Sequence, residues 1–354
     1  MSPTRNSRIF LVGLRYSHHA RNSGYEAFGP HIEAEALTAP VNFRWTLGRF
    51  GWPLSLAFAR VTRHPWYSIG AHLTEWHTLA RMAASRRCIF HVLYGDTDLW
   101  LLRRAHHVTR NRLVASFHQP AEDLRKLGSI ERVARHLSAA ILVSETQRRY
   151  FEEFMPHTRV FVVPHGVNTR FFHPPAAPPG SEVCITVGSH LRDFETLRDA
   201  IRLIWEARPE MRFLAVGTRS DKKSWFPDLP DERIRFLDRI SDSDLLSAYQ
   251  GSSLALFAFR QATANNAMLE AMACGLPLVA TDIGGIAEYV TPDTGVLCPP
   301  RDARALADAA IQLLENRDRR ARMSRASRDA AIALDFSNVA ARMADVYRRV
   351  LEMN

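Results

Sequence analysis

Ala262-Thr263-Ala264-Asn265-Asn266-Ala267-Met268-Leu269-Glu270-Ala271-Met272-Ala273-Cys274-Gly275-Leu276-Pro277 holds a helix start, a helix stop and the run-in to a strand. Thr263 or Asn265 is placed to cap the helix, whose first-turn N–H groups have no partner inside it. Such an end attracts phosphate through those donors and through the helix dipole. Asn266 and Glu270 stand four apart, so they share a face and can grip one ligand. Gly275 ends the helix, and Leu276-Pro277-Leu278-Val279-Ala280-Thr281 reads as the next strand. The same spacing also suits a well-capped core helix carrying an incidental acid.

Outward from this segment, short apolar runs alternate with amphipathic stretches, which is the pattern of parallel α/β sheets. The runs in the first half are Ile9–Val12, Ile89–Leu93, Leu113–Phe117, Ala140–Val143 and Val160–Val163. Those in the second half are Val183–Val187, Arg212–Val216, Ile234–Leu237, Leu254–Phe257 and Leu278–Thr281, with Val296-Leu297-Cys298 as a last strand. Ser23-x-x-Glu26 and Ser144-x-x-Gln147 both fit capping boxes. His173-Pro174-Pro175-Ala176-Ala177-Pro178-Pro179-Gly180 has neither helix nor strand character and reads as a linker. The expected organisation is a first domain over 1–172, the linker 173–180, a second domain over 181–336 and a terminal helix over 337–354. That helix carries Val339, Met343, Val346, Tyr347 and Val350 on one stripe. Two doubly wound sheets facing each other would form a cleft at the carboxyl ends of their strands.

With 354 residues, 46% of them hydrophobic, the chain is long enough for two domains with separate cores. No apolar run approaches the roughly 18 residues of a spanning helix, and the apolar stretch Ile9–Gly13 is too short for a signal-peptide core. A cytoplasmic protein is expected. Cys88, Cys184, Cys274 and Cys298 are scattered without CxxC spacing, which fits reduced core thiols. The 15 histidines show no HExxH spacing, so no metal site is expected. Lys and Arg number 46 against 37 Asp and Glu, a net charge of +9 that suits an anionic substrate or lipid surface. No zinc-finger, RNP or helix-turn-helix signature points to nucleic acid. Between Phe43 and Trp76, aromatic residues interleave with Arg44, Arg49, Arg60 and Arg63. Such a segment suits the headgroup zone of an anionic membrane at the inner face, an acceptor wall, or ordinary core packing.

Asn265 through Pro277, followed by Ala280-Thr281-Asp282-Ile283-Gly284-Gly285-Ile286-Ala287-Glu288, resembles the donor-site signature of family-4 retaining glycosyltransferases. A fainter likeness runs through nearly the whole chain. The resemblance implies the GT-B fold, two Rossmann-like domains across a cleft, with the terminal helix crossing back onto the first. Packing of that helix within the second domain is equally compatible with the sequence. In the family two glutamates bracket this segment, and the later one, matched by Glu270, holds the ribose of the sugar nucleotide. The earlier, used on the donor sugar, falls at 262, where this chain has Ala262.

Other candidates lie at strand ends. Gly24, at the start of a helix, lets backbone approach a phosphate and resembles the family's glycine-containing loop beside the diphosphate. His118 follows the strand ending at Phe117; the resemblance puts it near the donor hexose and acceptor. Gly188 ends the first strand of the second half, and Ser189 stands where the family carries an arginine. Arg192 is then the nearest cation and the candidate phosphate clamp, unless it pairs with Asp193 or Glu195 on a helix surface. Lys222 or Lys223 is a candidate second charge. Gly284-Gly285 forms a tight turn, and Glu288 resembles the acid that follows this turn in the family.

The expected activity is transfer of a hexose, with retention, from a nucleoside-diphosphate sugar to a hydroxyl of a glycan, lipid or small molecule. No cofactor or metal is called for. Two alternatives stay open: a nucleotide-sugar epimerase, and a weakly catalytic nucleotide-sugar-binding protein, the latter motivated by Ala262 and Ser189.

Overall fold

The computed structural model describes residues 8–13, 22–37, 61, 67–104, 109–177, 182–217, 226, 229 and 232–353. Residues 14–21, most of the Phe43–Trp76 segment, and Lys222 and Lys223 lie outside these residues. The chain divides into two compact units. One comprises the N-terminal strand, residues 25–164 and the end of the chain from 337; the other comprises 165–336 together with residues 22–24.

In the first unit six parallel strands stand in the order β2-β1-β3-β4-β5-β6. They are β1 (Ile9–Val12), β2 (Ala34–Leu37), β3 (Ile89–Val92), β4 (Arg112–Phe117), β5 (Ala139–Leu142) and β6 (Val160–Val162). The central strands are buried on both faces, so they read as unbroken apolar runs. β2 has no such run. It is the edge strand Ala-Glu-Ala-Leu, two of whose four residues face solvent, and its sequence carries no strand signal. Helices α1 (Ile69–Ala83), α2 (Ala121–Leu127), α3 (Ile130–Ala134) and α4 (Arg148–Glu152) cover the sheet. Phe10 stacks on Phe90 at 4.6 Å, and Phe117 meets Phe151 at 4.6 Å.

The second unit repeats the plan, with strand order β12-β11-β10-β7-β8-β9, all parallel. Its elements are β7 (Val183–Val187), α5 (Phe194–Ala207), β8 (Arg212–Val216), β9 (Ile234–Leu237), α6 (Asp242–Gln250), β10 (Leu254–Phe257), α7 (Asn266–Ala273), β11 (Leu278–Thr281), β12 (Gly295–Cys298), α8 (Ala303–Glu315) and α9 (Arg317–Ala333). Cys184 and Ile185 are adjacent on β7 yet belong to different cores, one on each sheet face. Cys184 packs with α5 and α8, and Ile185 with α7. β7 and β10 are neighbours although β8 and β9 continue on one side and β11 and β12 on the other. This reversal is the place where doubly wound sheets bind ligands, beyond the carboxyl ends of the strands.

The division between units falls at 164/165, ahead of the expected linker 173–180. Val167 and Phe172, expected in the first domain, are buried in the second core. Polar contacts fasten the same stretch. The Thr169 hydroxyl donates to Asp335 at 2.5 Å, and the Arg328 guanidinium donates to the Phe172 and Thr169 carbonyls at 2.8 and 3.0 Å. Gln250 Nε2 reaches the His173 carbonyl at 2.9 Å, which ties the exposed start of the Pro-rich stretch to α6.

The last helix, α10 (Phe336–Glu352), belongs from 337 onward to the first unit. Val339, Met343, Val346, Tyr347 and Val350 are its buried stripe. Tyr347 Oη lies 2.6 Å from His91 Nδ1, and His91 Nε2 lies 2.7 Å from Ser116 Oγ, which donates to the Tyr25 hydroxyl at 3.0 Å. Because the Ser116 proton is directed at Tyr25, Ser116 accepts from His91 Nε2–H and Tyr347 donates to Nδ1. Burial, and next the nearby His118, push the His91 imidazole down to about 3, so the ring is neutral. Among the described residues no helix is long and apolar enough to cross a membrane.

Candidate functional site

α7 is buried nearly all round. Every residue from Ala267 to Ala273 is inside, and Glu270 alone among them is charged. An apolar helix of this kind is a core element, and a carboxylate within it needs partners. Asn265, not Thr263, caps it, its Oδ1 accepting from Met268 N at 3.1 Å. The first-turn N–H groups of Asn266 and Ala267 have no partner among the described residues, and both asparagines are half-buried. Gly275, at φ 75°, closes the helix in the left-handed region, and Leu276 N returns to the Ala271 carbonyl at 2.9 Å.

Arg192 lies beside this helix start, and not on a helix surface as one alternative had it. Asp193, its neighbour, caps α5 by accepting from Thr196 N and Oγ1. Arg192 is only 4% exposed. Its Nη2 donates to the Val187 carbonyl at 2.6 Å and to Asn265 Oδ1 at 3.2 Å, and its Nη1 to the His190 carbonyl at 3.3 Å. The guanidinium stands 4.4 Å from the Phe259 ring centroid and 5.2 Å from that of Phe257. Nε is buried with no hydrogen-bond partner, and no carboxylate among the described residues forms an ion pair with Arg192. Burial brings its pKa down to about 9. A buried cation without a counter-charge, at the end of β7 and against β10, is an energetic cost that an anion would offset. Gly188, at φ 85°, passes directly over it: a Cβ there would come 3.3 Å from Nη2.

At the other end of the motif, Glu270 is 5% exposed and both carboxylate oxygens are occupied. Oε1 accepts from the Ser23 hydroxyl in a short hydrogen bond, and Oε2 accepts from the Tyr249 hydroxyl at 2.9 Å. Burial raises its pKa to about 7 against the pull of these two donors, with Asp242 adding to the rise. Residues 22–24 are tied to the same unit by Asn22, whose N and Nδ2 donate to Asp242 at 2.9 and 2.8 Å and whose Oδ1 accepts from Asn168. The capping box read at Ser23 and Glu26 is not what forms. Ser23 turns to Glu270, Glu26 accepts from the Tyr94 hydroxyl at 2.8 Å, and Tyr25–His31 is a 3-10 helix. Gly24 is buried with φ 115° and follows Ser23 directly.

Gly284 and Gly285 also reach this group. Gly285 N donates to the Ala262 carbonyl at 3.0 Å. A Cβ on Gly284, at φ 57°, would fall 2.0 Å from the Ala262 carbonyl oxygen, so no side chain fits there. Glu288 is exposed on the 3-10 turn Ile286–Glu288, and its N–H returns to the Gly285 carbonyl at 3.1 Å. The second unit thus gathers Gly24, Arg192, Asn265, Asn266, Glu270, Gly284 and Gly285 around α7. Two members escaped the sequence reading. Tyr249 carried no motif, and Ser23 was taken for a cap.

His118 belongs to the first unit, just beyond β4. Its backbone N–H donates to buried Asp96, 2.9 Å from Oδ2, and its Nε2 lies 2.8 Å from the Leu93 carbonyl. Nε2 therefore carries a proton, and the half-buried ring sits between Tyr25 (4.5 Å) and Tyr94 (5.0 Å). Burial lifts Asp96 to about 7. Tyr67, from the aromatic segment, is buried too, donating to a Glu75 carboxylate that also accepts the N–H groups of Trp100, Leu101 and Leu102.

Residues 181–316 match the family described as glycosyl transferases group 1. The GDP-mannose-dependent monoacylated alpha-(1-6)-phosphatidylinositol monomannoside mannosyltransferase of Corynebacterium glutamicum is 28% identical over 234 residues, covering 58% of this chain and 59% of that protein. The D-inositol 3-phosphate glycosyltransferase of Thermobispora bispora is 27% identical over 270 residues, covering 69% and 63%. The chain thus spans about three fifths of the length of these curated relatives. Among solved structures, Anabaena HepE in complex with UDP and glucose superposes with a TM-score of 0.70 at 16% identity, over 96% of this chain and 99% of that one. Two parallel six-stranded sheets and that superposition give this chain the GT-B fold, and its residues 181–316 are similar to the group 1 glycosyltransferases.

Proposed function

We propose that the protein is a retaining glycosyltransferase that moves a hexose from a nucleoside-diphosphate sugar to a hydroxyl acceptor. The observation that carries the proposal is Arg192, a buried guanidinium with no counter-charge among the described residues, at the N-terminus of α7, the helix whose Glu270 carboxylate already holds hydroxyl groups. Diphosphate would be received by Arg192, the Asn265 amide and the free first-turn N–H groups, with the dipole of α7 adding to them. Glu270 would accept from the ribose, and the close backbone of Gly284 and Gly285 would admit the donor beside Ala262. As the bond to the anomeric carbon breaks, negative charge grows on the diphosphate, where these fixed donors stabilise it. The family resemblance implies departure and attack on the same face, with the leaving diphosphate helping to deprotonate the acceptor. His118 enters the proposal through the family resemblance, as a residue beside the reacting sugar. No resident metal is part of it.

The relatives' names point to acceptors built on inositol phosphates, free or in lipid. The aromatic and arginine-rich segment from Phe43 to Trp76 is proposed to meet such a lipid surface; of its described residues, Trp76 is 56% exposed. Ala262, buried and with its carbonyl bound by Gly285, favours a second reading in which the donor is held but transferred slowly.

The test is a melting-temperature screen against UDP, GDP and ADP in excess EDTA, followed by turnover with the matching sugar nucleotide. One base should raise the melting point. Glu270→Ala should weaken its binding by about 10- to 100-fold, the loss of a hydrogen bond to a charged group, whereas His118→Ala should keep the binding and slow transfer. Undiminished affinity in Glu270→Ala sinks the site assignment, and binding without any transfer selects the second reading.

A further inference from the structure

Glu270 offers two oxygens, and their partners differ in kind. Tyr249 lies on α6, fully buried, its ring edge-on to Phe172 at 6.0 Å. Its hydroxyl reaches Glu270 Oε2 at 2.9 Å and the Ala267 carbonyl, one turn earlier on α7, at 3.1 Å. Burial first, and then the charge of Glu270, hold the phenol proton far above its ordinary pKa, so the group is a donor at every working pH. Ser23, by contrast, is half-buried and reaches Oε1 from the short 22–24 segment. A ribose hydroxyl is the same chemical group as the serine hydroxyl and can take its place on Oε1 without moving charge. Nothing of that kind can replace Tyr249, which is enclosed by packed side chains.

Resting on the donor-site reading above, we propose that Tyr249 is a positioning residue: its hydroxyl locks Oε2 of Glu270 to α6, so that Oε1 is the oxygen handed from Ser23 to the ribose of a nucleoside diphosphate. A carboxylate on a flexible side chain otherwise loses rotamer freedom when it grips a ligand, and a fixed second oxygen removes part of that cost. The hydrogen bond also favours the charged form of Glu270, which alone accepts at both oxygens. The other ionisable groups facing this carboxylate are Asp242 on α6 and Cys274 after α7, with Arg192 acting on Tyr249.

The experiment measures binding of UDP and GDP between pH 5 and 9 for the whole chain, for Tyr249→Phe, for Glu270→Gln and for the double variant. Glu270→Gln reports the nucleotide's own ionisation, because its amide does not titrate. Tyr249→Phe should bind about 10-fold more weakly, with the Glu270-dependent midpoint about one pH unit higher. The double variant should bind no more weakly than Glu270→Gln. If Tyr249→Phe matches the parent in affinity and midpoint while Glu270→Gln binds poorly, Tyr249 is no positioning residue and the donor site stands. Wild-type affinity in Glu270→Gln removes the donor site itself, and this inference with it. Should Tyr249→Phe not fold, 3,5-difluorotyrosine at 249 keeps the shape and strengthens the donor. The midpoint must then move down, and an unmoved midpoint overturns the proposal.

Discussion

Glu270 shows how one buried residue can be costly for folding. Its pKa is raised to about 7 in the fold, first by burial, against an ordinary value of 4.5. The folded protein therefore holds this proton more tightly than the unfolded chain does. The stabilisation is complete below about 4.5 and is lost as pH rises through about 7, above which the buried charge opposes folding. Glu270→Gln removes that titration. We expect the variant to match the parent's melting at pH 4 and to exceed its stability by about 1–3 kcal/mol at pH 8, measured by calorimetry without nucleotide. Equal melting at both pH values would show that the carboxylate is better solvated than its burial implies. At this scale the sequence was legible wherever the chemistry is local. A cap at Thr263 or Asn265 and a stop at Gly275 follow from backbone needs within a few residues, and the fold uses Asn265. Ser23 was not, because two acceptor systems compete for a capping serine, and a carboxylate 247 positions away wins here over the local backbone.

At the scale of elements, buried strands announced themselves. β10 and β11 begin and end where their apolar runs do, since a strand enclosed on both faces has few polar positions to blur its limits; β9 was legible although it is an edge strand with Arg235 exposed. β2 stayed hidden because an edge strand takes its stability from one neighbour and keeps two of its four side chains in water. α10 carries a second lesson. Its stripe predicts burial but not against what, and the contacts that answer it include Tyr347 with His91 and Arg349 over the Phe161 ring. Tyr347→Phe would leave buried His91 Nδ1 without its donor. We expect a loss of about 1–3 kcal/mol in unfolding free energy, measured by denaturant titration at pH 8. The His91 pKa is depressed to about 3 by burial, so the parent's stability from this ring is complete above its ordinary 6.5 and falls as pH drops from there toward 3. An unaltered denaturation midpoint in Tyr347→Phe would mean that water replaces the hydroxyl.

Over the whole molecule the net charge of +9 acts at a distance that no single contact does. Exposed charges are screened within about 8 Å at physiological ionic strength, so attraction to an anionic surface should be strong in dilute buffer and weak in salt. We expect the protein to co-sediment with phosphatidylinositol-containing vesicles at low salt, to leave them at about 0.5 M salt, and to ignore neutral vesicles. Equal binding to neutral vesicles would point to aromatic insertion instead of charge.

The alternation of buried strands and amphipathic helices, the capped and glycine-ended helix α7, and the donor-site motif were set by the sequence alone. Each depends on neighbours within a few residues or on a period of two or 3.6. The unit boundary at 164/165, the turn of Ser23 toward Glu270, the burial of Arg192 beside Asn265 and the hydrogen bond from Tyr249 to Glu270 were decided only by the tertiary structure. Each joins parts of the chain that no local pattern relates. Their reason is shared: a polar group taken from water must find its partner wherever packing brings one, near in sequence or far.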